Sequence, residues 1–298
     1  MSADTEPTPP TESPPRVDRD GQDDVARELA ARLATLPPIQ VLYTDLDGTL
    51  LGPDGSLLHR ADGQPSTVGA AAVVEALSAG LTVIPVSGRQ RQQLQHDTRL
   101  LGLTDCIGEA GAVIQRDGAL AYAWGQAPRD LADTPHDALL AAGAWDALRR
   151  AFPDDLALYE PWHRGREGSL LLHGAVDPAA ADAVLADAGC GWARLIDNGE
   201  ATGWPGRHVR AYHLLPRGVG KAEAVAADLR ARGLRPEQAV AVGDSPTDAR
   251  LAQAVGLSAI VANGRGAGEG VLRLSAPMGE GVAQLVTAVV AARRRQEA

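Results

Sequence analysis

Short, largely apolar runs recur along this chain: IQVLYT at 39–44, LTVIPV at 81–86, AVAVG at 239–243 and SAIVA at 258–262. Each stops at a polar residue, and stretches with helical spacing separate them. A strand without a polar face must be buried on both sides, which implies a parallel sheet wrapped by helices. In such sheets ligands bind beyond the carboxyl ends of the strands, so residues there converge even when far apart in sequence. HVRAYHLL at 208–215 reads as a further strand of the set, with Lys221 opening the helix after it. Asp45, Ser87, Asp244 and Lys221 are therefore expected in one place. Asp45 and Asp47 interrupt the otherwise buried stretch VLYTDLDGTLLG at 41–52. Buried carboxylates are costly without partners, so something must offset these two.

The rest of the chain divides by composition. Residues 1–22 hold five of the chain's 20 prolines, several acids and almost nothing to bury, and read as a disordered tail. DDVARELAARLATL follows, with Val25, Leu29, Leu33 and Leu36 at helical spacing and a stop at Pro37 and Pro38. LLGPDGSLL reads as a small hairpin about a Pro-Asp-Gly turn. All five tryptophans and the single phenylalanine fall between residues 118 and 207. That shift marks an inserted domain, with the parallel-sheet unit formed by 23–117 and 208–298.

A net charge of -10 disfavours nucleic acid and anionic membranes as partners. No apolar run is long enough to span a bilayer. Cys106 and Cys190 lack metal or redox spacing, so reduced thiols and a cytoplasmic location are expected.

DLDGTL at 45–50, VSGR at 86–89, Lys221 in GVGKAEAV and GDSPTD at 243–248 together resemble, in order, the four motifs of the haloacid dehalogenase superfamily of phosphohydrolases. The resemblance is closest to its Cof-like and sugar-phosphatase branch, with the sucrose-phosphate, mannosyl-3-phosphoglycerate and trehalose-phosphate phosphatases. It implies a Rossmann-like doubly wound parallel sheet of α/β class with an inserted α/β cap. It also implies Mg2+-dependent hydrolysis of a small phosphorylated metabolite, a sugar phosphate or glycosyl phosphoglycerate, through an aspartyl-phosphate. Asp45 is then the nucleophile and Asp47 the acid and base. Asp45, Asp244 and the main-chain carbonyl of Asp47 are the metal ligands, with Asp248 supporting them. Ser87, Gly88, Arg89 and Lys221 are the phosphate-binding set. Two positions depart from the family pattern: Thr247-Asp248 where Cof-like members often carry Asn-Asp, and Glu109-Ala110-Gly111 where many relatives read Glu-Asn-Gly.

Individually these residues admit plainer roles. Lys221 alone is a solvated helix lysine, Ser87 a helix cap, Thr49 a partner of local backbone and Asn263 a turn residue. Arg89 fits either a substrate contact or a surface ion pair. Within the insertion, YEPWHRGREGS at 159–169 concentrates Trp162, His163, Arg164, Arg166 and Glu167, and Arg166 is the candidate distal substrate contact. Two other functions share the motifs: a phosphosugar mutase on the same chemistry, and a non-catalytic regulatory protein, whose mark would be the loss of Asp45, Asp47 or Asp244. The sequence leaves oligomeric state open.

Overall fold

The computed structural model describes residues 19–201, 203–204 and 206–297, the first four as backbone only. Its first half runs α1 (Arg19–Ala34), β1 (Val41–Thr44), α2 (Val68–Ser78), β2 (Thr82–Pro85), α3 (Arg91–Leu100), β3 (Cys106–Gly108), β4 (Val113–Arg116) and β5 (Ala119–Tyr122). The insertion adds α4 (Pro135–Ala141), α5 (Ala144–Ala151), β6 (Leu156–Leu158), β7 (Leu170–Gly174), α6 (Pro178–Asp187), β8 (Ala193–Ala201) and β9 (Val209–Pro216). The chain closes with α7 (Lys221–Ala231), β10 (Ala239–Gly243), α8 (Pro246–Ala249), β11 (Leu257–Ile260), β12 (Val271–Arg273) and α9 (Met278–Glu297).

The expected parallel sheet is present, in the order β12-β11-β10-β1-β2, and every neighbouring pair is parallel. β3 extends its edge through a bridge from Val86 to Ile107. Strand period sorts the side chains into two layers. Leu42, Val83, Val240, Val242 and Ala259 pack under α1, α2 and α9. Val41, Tyr43, Ile84, Ala239 and Ala241 pack on the other side with Val225 and Leu229 of α7. α1 earns its place by burying Leu29 and Leu33 in the first layer. Each full leucine burial is worth about 2 kcal/mol.

Three expectations need revision. α1 begins at Arg19, so residues 19–22 are helical; the remainder of the expected tail, 1–18, lies outside the described residues. The Pro-Asp-Gly turn exists as one short turn, Pro53–Gly55, closed by the Gly52 N–H on the Ser56 carbonyl at 2.8 Å, with no paired strands flanking it. HVRAYHLL is not a strand of the parallel sheet. As β9 it pairs antiparallel with β7 and β8, in a second sheet of order β6-β7-β9-β8. A buried strand has the same apolar character in either sheet, so its composition could not assign it. The boundary drawn at 207 and 208 thus falls inside the insertion, while 118–122 complete the β4–β5 hairpin paired to β3.

Thr134 and Asp177 cap α4 and α6 by accepting from Asp137 N and Ala179 N, and Pro135 and Pro178 occupy the first helical turn. Both helices, with α5, cover one face of the second sheet around Leu139, Leu148, Leu172, Leu185, Leu195 and Leu214. Trp145, Phe152 and Trp192 pack against this cluster, so much of the aromatic enrichment is core filling.

Candidate active site

β1 and β10 lie side by side, and their carboxyl ends deliver Asp45 and Asp244 to adjacent positions. Asp248 comes from α8, one turn beyond Ser245, whose hydroxyl caps that helix and also donates to Asp248 Oδ2. Ligand atoms of Asp45, Asp244 and Asp248 lie within 4.8 Å of one another. Lys221, the first residue of α7, reaches in from the neighbouring layer and donates to Asp45 Oδ1 and Asp248 Oδ1, both at 2.7 Å. Lys221 is therefore a buried member of the cluster and not a solvated helix lysine.

Three carboxylates face one ammonium, and the electrostatics show the imbalance. Burial, with Asp248 and Asp244 nearby, pushes Asp45 well above the usual carboxylate range despite Lys221. Burial and Asp248 push Asp244 up to about 6. Burial opposes the charge on Lys221, but Asp248 and Asp45 outweigh it and hold the lysine above its ordinary value. An all-oxygen donor set with excess negative charge suits a hard divalent cation such as Mg2+. Asp47 is not in this set by its side chain. It points instead to Arg89, whose Nε donates to Asp47 Oδ2 at 2.8 Å and whose Nη2 bonds the other oxygen.

Arg89 also donates to Asp97 Oδ2 at 2.7 Å, so of its two expected roles the structure shows the ion pair. Ser87 is buried; its N–H donates to the Ile107 carbonyl, and its Oγ accepts from Arg89 N at 3.2 Å, a turn that fixes the Gly88 peptide. Gly48 takes φ +77°, and a Cβ there would stand 2.9 Å from Asp244 Oδ2, so both backbone and space demand glycine. Asn263 is more than a turn residue. Its Nδ2 donates to the Gly48 carbonyl at 2.8 Å and its Oδ1 accepts from Met278 N at 2.8 Å, which ties the first motif to the start of α9. The Thr49 hydroxyl is buried with no partner among the described residues, contrary to the expected backbone bond.

Arg166 is also placed differently from the expectation. It is buried, and its guanidinium donates to the Gly88 carbonyl at 3.0 Å, the Trp162 carbonyl at 3.2 Å and Ser169 Oγ at 3.3 Å. Those bonds make it a tie between the cap loop and the Ser87-Gly88 turn, not an open distal contact. Glu109, after β3, completes the tie by accepting from Glu167 N, Gly168 N, Ser169 N and Ser169 Oγ, and Arg91 forms a two-pronged pair with Glu167. Trp162 remains 53% exposed.

A cleft between the cap sheet and this cluster is lined by Arg194, Asn198, His213, Lys221, Glu223 and Arg250. Sequence reading missed the cap side of it. The available signal was the period of two in β8, where Ala193 and Leu195 are buried and Arg194, Ile196 and Asn198 alternate with them.

A scan against protein-family models finds no match. Among curated proteins, a phosphoglycolate phosphatase of Methanoculleus marisnigri is 27% identical over 232 residues, covering 76% of this chain and 85% of the relative. Among solved structures, a Synechocystis sucrose-phosphatase in complex with sucrose and phosphate superposes with a TM-score of 0.58 at 16% identity, over 85% of this chain and 98% of the other. A haloacid dehalogenase-like hydrolase of Bacteroides thetaiotaomicron gives 0.57 at 14% identity, over 84% and 99%. In fold, a parallel sheet interrupted by an inserted α/β unit, the chain is similar to these solved structures, one of them a haloacid dehalogenase-like hydrolase.

Proposed function

We propose that this phosphoric monoester hydrolase is a Mg2+-dependent phosphatase acting on a small phosphorylated metabolite, a sugar phosphate or glycosyl phosphoglycerate, through an aspartyl-phosphate. The observation that carries the reading is the convergence of Asp45, Asp244 and Asp248 on Lys221 at the mouth of the parallel sheet. Asp45, Asp244 and the main-chain carbonyl of Asp47 would hold Mg2+, with Asp248 in support; the ion would neutralise phosphoryl oxygens and the crowded carboxylates. Ser87, the Gly88 N–H and Lys221 hold the phosphoryl group. The Asp45 carboxylate attacks phosphorus as the ester oxygen leaves, and Asp47 gives that oxygen a proton. Asp47 then takes a proton from the water that attacks the aspartyl-phosphate, which releases phosphate and restores Asp45. Arg89 holds Asp47 in the state seen here, and must yield it for the proton to be delivered. The insertion, from about residue 123 to the end of β9, acts as the cap that closes over the substrate.

Phosphate release from a panel of phosphorylated metabolites, with Mg2+ and with excess chelator, tests this. Metal-dependent release that is absent in Asp45→Asn is the expected result, and added sugar bisphosphate should not stimulate it as it would a mutase. Release unaffected by chelator or by Asp45→Asn would refute the mechanism.

A further inference from the structure

The cap floor carries an arginine that no carboxylate bonds. Arg194 and Leu215 are opposed across β8 and β9, as are Ile196 and His213, so these four share the face of the cap sheet that looks onto the parallel-sheet unit. Asn198 continues the row. A Cβ built on Gly88 would lie 3.1 Å from His213 Nε2 and 3.2 Å from Asn198 Nδ2, which places both side chains directly over the phosphate turn. A Cβ on Gly220 would lie 3.7 Å from Arg194 Nη2, which places the guanidinium beside the residue preceding Lys221.

Arg194 Nη2 donates to the Val219 carbonyl at 2.7 Å, and its Nε is buried with no partner. Among the described residues no carboxylate lies within 4 Å of it. Glu223, the acid of the cleft, pairs with Arg250 at 3.4 Å and acts on Arg194 only at longer range, so the Arg194 guanidinium keeps a donor that no carboxylate engages. Burial and Arg250 press the Arg194 guanidinium below its ordinary value, and Glu223 and Asp182 offset this only in part. His213 Nε2 is likewise buried and unpartnered. Burial, then Arg166 and Lys221, hold that imidazole far below its ordinary value, so it is a neutral hydrogen-bonding group.

Resting on the phosphatase reading above, we propose that Arg194 determines specificity by binding a carboxylate on the leaving group, making the substrate a small phosphorylated hydroxy acid, free or within a larger glycoside. Asn198 and His213 supply neutral bonds to the hydroxyl or ester oxygens between the two anions. A single guanidinium with an unused donor suits a monoanionic carboxylate better than a second phosphate dianion, and its fork fits a carboxylate's two oxygens. A site built around such a bond discriminates strongly against the analogue lacking the group, because its own buried donors are then left unpaired.

The test is kcat/KM of the full chain in Mg2+ on two matched pairs: 3-phosphoglycerate against glycerol 3-phosphate, and 2-phosphoglycolate against 2-hydroxyethyl phosphate. The wild type should prefer the acid by roughly tenfold or more in at least one pair. Arg194→Met should cut the acid-to-alcohol ratio by roughly 10- to 100-fold, the usual loss for a charge-assisted contact, and Arg194→Lys by less. Because Arg194 also holds the Val219 carbonyl, Asn198→Asp serves as a second variant. It changes an exposed residue, adds negative charge to the same cleft and should lower the ratio as well. Preference for the alcohol in both pairs, or equal losses on both members in Arg194→Met and in Asn198→Asp, would overturn the proposal. Release from p-nitrophenyl phosphate with none from either acid overturns it alone, whereas no release from any ester overturns the phosphatase reading and this inference with it.

Discussion

Glu109→Gln is a test of what fastens the cap loop to the parallel-sheet unit. The Glu109 side chain is fully buried; its Oε2 accepts from Gly168 N, Ser169 N and Ser169 Oγ at 3.1, 2.9 and 2.8 Å, and its Oε1 from Glu167 N at 2.9 Å. Glutamine keeps the volume but exchanges one acceptor for a donor. The better orientation leaves the amide oxygen facing three donors and turns the NH2 toward the Glu167 N–H, donor against donor. One bond is lost with its donor largely buried, at about 1–3 kcal/mol, and the other three lose their ionic assistance at roughly 0.5 kcal/mol each. Arg166 Nη1, 4.0 Å from Oε2, is also left without its buried counter-charge. The sum is about 3–5 kcal/mol, which at roughly 2–4 °C per kcal/mol lowers Tm by about 6 °C or more. Urea midpoints and Tm of the full chain measure it, beside Glu167→Gln, whose pair with Arg91 is partly exposed and worth about 1 kcal/mol at most. A Glu109→Gln loss below about 1 kcal/mol, or no larger than that of Glu167→Gln, would refute the reasoning.

Mg2+ should raise the wild-type Tm, since a ligand bound only by the native state stabilises it by mass action, and should raise that of Asp45→Asn by less; equal shifts would remove Asp45 from the metal set. Arg166→Met should lower kcat/KM on p-nitrophenyl phosphate and on any larger substrate by similar factors, because the side chain ties the Gly88 carbonyl to the cap; a loss confined to the larger substrate would return it to the role of distal contact. Burial first, then Arg166 and Lys221, hold the His213 imidazole well below its ordinary value of 6.5. The unfolded chain therefore takes up this proton first, and stability is complete above pH 6.5 and falls as pH drops below it. His163, held low by burial and His136, acts in the same direction, so His213→Gln should reduce the slope of Tm against pH between 6.5 and 5 without removing it; an unchanged slope would show that His213 does not contribute.

The parallel sheet and its polar mouth were legible because the strands end in polar residues: the run that makes β1 buried also makes Asp45 its terminus, and likewise β10 and Asp244. Lys221 was found for the wrong reason. The strand before it was read as part of the parallel sheet, yet α7 still starts beside the cluster because β9 returns to the same place from the cap. Arg166 and Arg194 show where sequence reading ends. Only the fold reveals that Arg166 spends its donors on backbone carbonyls and Ser169 while Arg194 retains an unpaired one. Residues 19–22 read as tail because Arg19, Asp20, Gly21 and Gln22 include no apolar residue, yet the backbone of α1 begins there.

The passage from β9 to α7 has a mechanical consequence. Only Arg217 to Gly220 separate Pro216, the last residue of a cap strand, from Lys221, whose ammonium grips Asp45. The outbound connection runs alongside, since Gln126 N donates to the Arg217 carbonyl at 2.9 Å, and Arg194 of β8 holds the Val219 carbonyl. Four residues span at most about 14 Å and have little slack when laced on both sides. The lysine is thus on a short lead from the cap: a tilt of the cap sheet is transmitted along the backbone to the amine, so whatever settles on the cap floor also adjusts the aim of the group beneath it.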